Sequence, residues 1–224
     1  MEEITRQWLW VIDLWGHEFT LNARTLVMTW IVVGVILFFV FLATRKASLV
    51  PHTAQNIAEM MLEAFKGLTD ESIGERSQSY FPLIMTTFIF VLISNWLGMV
   101  PFLSEPTRDI NTVFPLGLIG FVVAHATSIK VKGFKRYIKG YFEPFFIMFP
   151  LNVIGELAKV ISISFRLYGN IMGGAIIIIV VSELVHNWLL PPFLQFFFGF
   201  FVGTIQALVF AMLTLTYISL AIHE

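Results

Sequence analysis

The chain has 224 residues, 57% hydrophobic and only 13% charged, with a mean hydropathy of +0.81. A soluble domain carries about 25% charge, so this is a multi-span integral membrane protein. The net charge of −1 gives no case for nucleic acid, and the lack of cysteine excludes disulfides, thiolate nucleophiles and thiolate metal sites.

Residues 1–25 place Trp8, Trp10 and Trp15 among polar residues. Tryptophan concentrates at the membrane–water boundary, so the expectation is an interfacial segment on the outer side. The opening MEEITRQ lacks the order of a cleaved signal and the Arg-rich pattern of a transit peptide. A bacterial cell membrane is expected, with synthesis inside an organelle as the alternative.

A first span covers 26–43 and stops at Thr44-Arg45-Lys46. Positive charge beside a span marks the cytoplasmic side. Residues 51–74 read as an amphipathic helix on that surface, with Ile57, Met60, Met61, Ala64, Phe65 and Leu68 at helical spacing. A second span covers 81–101 and contains Asn95, expected to hydrogen-bond between helices. An outer loop with Glu105, Arg108 and Asp109 follows, then a third span at 112–129 with His125, read as a packing histidine, near its inner end. Five basic residues lie within Lys130–Lys139 without an acid, the clearest cytoplasmic signal in the chain.

Two long apolar elements complete it, 145–187 and 192–222. Each exceeds the roughly 20 residues that a perpendicular helix needs. The expected architecture is therefore all-α, one membrane domain over 1–224. It has about five membrane helices and a cytoplasmic-surface amphipathic helix, the last two membrane helices long and strongly tilted as a hairpin.

Arg166 lies inside the first of these long elements, and sixteen uncharged residues follow it. Arginine at mid-bilayer costs roughly 2.5–3.5 kcal/mol on insertion scales, and its pKa above about 12 keeps it charged. Lys159, Arg166, Asn170 and Gly173, spaced seven, four and three apart, share one helical face. The other spans offer no acid to pair with Arg166. Along its own helix Glu156 and Glu183 lie about 15 and 25 Å away. The pattern favours a carboxylate on another subunit, or an ion pathway, over a static ion pair.

FRLYGN in such an element resembles the arginine helix of subunit a of the F-type ATP synthase, the membrane stator of that rotary machine. SNWLGMVP, EPTRDINT and TIQALVFAMLTLTYISLA resemble that family's second long span, following outer loop and last helix. The resemblance implies that Arg166 is the stator arginine and that Asn170 and Gln206 are its polar channel-lining neighbours. It also implies that Lys159 and Glu156 lie near the cytoplasmic half-channel. The implied partners are a ring of carboxylate-bearing c subunits, the peripheral-stalk b subunits and other synthase subunits within the bilayer. No cofactor is implied; H⁺ or Na⁺ is the translocated ion. Many members carry a carboxylate a little over two turns after the arginine and a histidine or acid on the facing last helix. Here those positions are Ala175 and Gly199. Glu183 and His186, three apart, are the candidates for the outer mouth. No phosphate loop is present, so ATP chemistry belongs to other subunits. The competing readings are a self-contained ion transporter or channel, which predicts an internal repeat that is not seen, and a structural membrane subunit with no ion path.

Overall fold

The computed structural model describes residues 9–14, 17–45, 53–100, 102–142, 145–185 and 190–223. Among these residues, five helical stretches are long and apolar enough to cross a membrane. The all-α membrane architecture expected from the hydropathy is therefore present. It is preceded by a short antiparallel hairpin, β1 (Leu9–Leu14) and β2 (His17–Asn22), within the segment read as interfacial. Asn22 ends the hairpin and caps α1 (Ala23–Thr44), its side chain accepting from the Thr25 amide.

The amphipathic helix is α2 (Thr53–Ile73), and a turn at Gly74–Arg76 leads into α3 (Ser77–Leu97). Gly74 has φ +71°, a left-handed geometry that favours glycine. The apolar face of α2 is divided. Phe65, Met61 and Leu68 join the core, and the Phe65 ring lies 4.4 Å from that of Phe88 on α3. Ile57 and Met60 remain exposed. Helix α4 (Ile110–Lys132) is followed by the short basic α5 (Phe134–Tyr141).

Helix α6 (Met148–Val185) has 38 residues. At about 1.5 Å per residue it is about 57 Å long, against a hydrocarbon core of about 30 Å. The final stretch opens with α7 (Leu190–Phe196), whose Pro191 and Pro192 sit in a first turn where no amide donor is needed. A π-helical turn at Phe197–Val202 follows, then α8 (Gly203–His223).

Helix α8 is the centre of the bundle. Its buried residues Gln206, Ala207, Phe210, Ala211, Thr214, Leu215 and Ile218 recur every three or four positions. They pack against α3 and α4. Helix α6 leans on α4 instead, through Val160, Ile163, Ser164 and Leu167. Small residues set these distances. A Cβ added at Gly117 would stand 2.5 Å from Ser164 Oγ, and one at Gly120 would stand 3.0 Å from Thr214 Cγ2. The hairpin of long helices is thus open: α6 packs closely on α7 and only sparsely on α8.

Candidate functional site: an unpaired arginine between two cavities

The basic ends of α1 and α4 lie on one side of the bundle, which the charge rule makes cytoplasmic. The start of α6 and the end of α8 share that side. Ser219 Oγ donates to the Ser72 carbonyl at 2.6 Å, tying α8 to the end of α2 there.

A cavity of about 750 Å³ occupies this inner half, between α4, α5, α6 and α8. Its polar lining includes His125, Tyr141, Asn152, Glu156 and Lys159. Lys159 Nζ donates to Glu156 Oε1 at 2.6 Å. His125 Nε2 stands 3.9 Å from the other Glu156 oxygen and 3.3 Å from the Tyr141 hydroxyl. Burial, then the neighbouring Tyr137 hydroxyl, pushes the Tyr141 hydroxyl well above the ordinary phenol range, so it stays protonated. His125 does hydrogen-bond its own helix, with Nδ1 3.1 Å from the Phe121 carbonyl, but its other nitrogen faces this cavity. The packing role expected from sequence is half of what it does.

A second cavity, of about 220 Å³, occupies the outer half. It is bounded by the ends of α3 and α7, the π turn, the loop before α4, and α6 from Asn170 to Ile179. Asn95 closes its side: Nδ2 donates to the Gly203 carbonyl at 2.9 Å, and Oδ1 accepts from Thr107 at 2.9 Å. This is the interhelical bond expected of Asn95. Gln195 donates to the Gly98 carbonyl at 2.7 Å. Gln206 is only 4% exposed; its Oε1 accepts from Asn170 Nδ2 at 2.8 Å, while its Nε2 has no partner among the described residues.

Arg166 lines neither cavity. The inner one reaches Ile163 along α6 and the outer one begins at Asn170. That seven-residue interval is about 10 Å of helix, and Arg166 stands within it. Its side chain is exposed, on the face shared with Asn170 and Gly173, and among the described residues it has no hydrogen bond or ion pair. Beyond it, a Cβ at Gly169 or Gly173 would meet nothing within 4 Å.

The structure therefore brings Asn170 to Gln206 and Glu156 to Lys159, and leaves Arg166 apart from both pairs. Glu183 is exposed near the outer end of α6, past the last cavity residue on that helix, Ile179. His186 lies outside the described residues. The positions Ala175 and Gly199 both border the outer cavity, and a Cβ at Gly199 would meet Met99 Cγ at 2.5 Å. Two lining residues escaped the sequence reading. Glu105 stood in a loop that folds back over Gly98, and His125 looked like a packing residue but meets Glu156 and Tyr141 across the cavity; neither contact has a sequence period.

The fold and site define a polytopic helical membrane protein with a polar cavity in each half and, between them, an arginine that has no partner among the described residues. Residues 26–219 match the family model described as ATP synthase A chain. The chain is similar to ATP synthase subunit a of Moorella thermoacetica, 39% identical over 199 residues, which are 89% of this chain and 90% of that protein. It is also similar to the subunit a of Desulforamulus reducens, at 35% identity over 92% of this chain and 82% of that one. The subunit a of Acidothermus cellulolyticus is 37% identical over 94% and 83%. The chain belongs to the ATP synthase A chain family. It is a multi-pass membrane subunit on the stator side of a rotary ATP synthase.

Proposed function

We propose that the two cavities are the half-channels of an ion path and that Arg166 separates them. The observation that carries this reading is the position of Arg166: between the cavities along α6, outward-facing, without a counter-charge among the described residues. A carboxylate on a ring of c subunits supplies the missing charge. Neutralised by H⁺ or Na⁺, that carboxylate faces lipid at little cost; ionised, it does not. Arg166 attracts the ionised form, displaces its ion and blocks direct leakage from one cavity to the other. An ion enters the outer cavity, rides the ring and leaves through the inner cavity past Glu156, Lys159 and His125. The membrane potential contributes about 2.3 kcal/mol per charge per 100 mV. Arginine suits the role better than lysine, which a dry site can deprotonate. The open strip at Gly169 and Gly173 suits a moving partner surface. The b subunits of the peripheral stalk hold the chain against rotation, and the host membrane is a bacterial plasma membrane.

The test is ATP synthesis and ATP-driven pumping by vesicles bearing the whole complex with Arg166→Ala, with and without Na⁺. Loss of both activities in an assembled complex is the expected result, and the Na⁺ dependence of the wild type names the ion. Retained coupling would make Arg166 a structural charge and remove the reading.

A further inference from the structure

The outer cavity contains a carboxyl group at a place that periodicity along the helices does not mark. Glu105 belongs to the loop before the Pro106–Arg108 turn, yet its side chain folds inward over the end of α3. It lies so close to Gly98 that a Cβ there would overlap the carboxyl, so residue 98 must be glycine for Glu105 to occupy this position. Among the described residues, Glu105 is the one acid of the cavity. Among the described residues, the charged groups that line the cavity with it are Arg108, from its own turn, and Arg24, from the start of α1. Helices α6, α7 and α8 and the π turn contribute no charge there, only the amides of Asn170, Gln195 and Gln206. At the inner end of the same cavity the buried Gln206 Nε2 has no partner among the described residues, which marks a place for water.

We propose that Glu105 is the proton-accepting and proton-donating group of the outer half-channel, acting from the loop in a cavity whose helical walls supply no acid. This rests on the half-channel reading above. At the mouth, hydronium gives its proton to the Glu105 carboxylate and becomes water. The carboxylic acid then gives that proton to a water inside the cavity and returns to carboxylate. Asn170 and Gln206 orient the water from which the proton reaches the ring carboxylate. Burial raises the pKa of Glu105 above the ordinary carboxyl range, against the lowering by its own amide and by Arg108. A group so placed holds a proton more readily than a free carboxylate does.

The test is passive proton conductance of the membrane part in vesicles after removal of the catalytic head, measured against outer pH. Assembly of each variant complex is checked by its subunit content. Glu105→Gln is expected to lower conductance at least tenfold and to flatten its dependence on outer pH. Glu105→Asp is expected to conduct with a shifted midpoint. Adding Ala175→Glu to Glu105→Gln returns a carboxyl to the same cavity and is expected to restore flux. Wild-type conductance and pH profile in Glu105→Gln would overturn the proposal. If that variant does not assemble, Glu105→Asp decides: an unshifted midpoint overturns it. Arg166→Ala separates the two claims. Coupling lost there but conductance untouched by Glu105→Gln leaves the stator reading standing and removes only the relay.

Discussion

Asn170 on α6 donates a 2.8 Å hydrogen bond to Gln206 on α8, across the gap between two helices that otherwise touch little. Gln206 is buried and Asn170 is at the surface, so the bond joins the bundle interior to the face that carries Arg166.

Asn170→Ala leaves a buried amide oxygen without its donor, at a cost of about 1–3 kcal/mol. Thermal unfolding of the purified complex should show a modest fall. Coupled pumping should fall further than stability does, because the same change loosens the inner wall of the outer cavity. Gln206→Leu removes the buried polar group together with its need for a partner. It is expected to retain stability better than Asn170→Ala while losing pumping.

Two glycines on facing helices should behave oppositely. Gly117→Ala drives a methyl group toward Ser164 and should destabilise the subunit by about 1–3 kcal/mol through overpacking. Gly173→Leu projects into open space, so the subunit should fold and insert normally. If a ring turns against that strip, the same variant should slow ATP-driven pumping in an assembled complex. Subunit content and pumping rate measured together check both expectations.

Glu105 sets a pH dependence of stability whose sign follows from linkage. Its pKa is raised in the folded state, so the folded protein binds the proton more tightly than the unfolded chain does. Its contribution is most favourable below the ordinary carboxyl pKa. It is lost as pH rises from there through the raised value. Glu105→Gln should remove that slope and leave the complex more heat-resistant at neutral pH than the wild type. Unfolding midpoints measured across this pH interval read the effect independently of ion transport.

On the inner side, Glu156→Gln breaks the ion pair with Lys159. Both side chains are partly exposed, at 28% and 40%, so the stability cost should not exceed about 1 kcal/mol. Ion release should suffer more, because the carboxylate facing His125 and the Tyr141 hydroxyl is gone. Pumping rate against inner pH is the measurement, with a displaced optimum expected.

The architecture was legible because a bilayer forces apolar runs of fixed minimum length, and each of the spans announces itself that way. Arg166 was legible for the opposite reason: a charge in such a run has few explanations. The pairings of Glu156 with Lys159 and of Asn170 with Gln206 were not legible; the sequence marked these residues singly, by spacing and resemblance, and only the packing of the helices brings Asn170 to Gln206. The β1–β2 hairpin was hidden because the tryptophans of this region signal an interface but not a backbone conformation. Glu105 was hidden because its carboxyl reaches its place by folding a loop back over Gly98, a contact with no sequence period.

The π turn at Phe197–Val202 acts as a phase adjuster. The Gly203 amide reaches back five residues to the Phe198 carbonyl, so the turn holds one residue more than an α-helical turn would. One residue is about 100° of rotation on a helix. Without it, α7 and α8 would form one continuous screw. With α7 held against α6, the α8 stripe would then swing by that angle, carrying Gln206 away from Asn170. The angular bearing of Gln206 is therefore set upstream of the helix that carries it, in six apolar residues that carry no charge and no polar side chain.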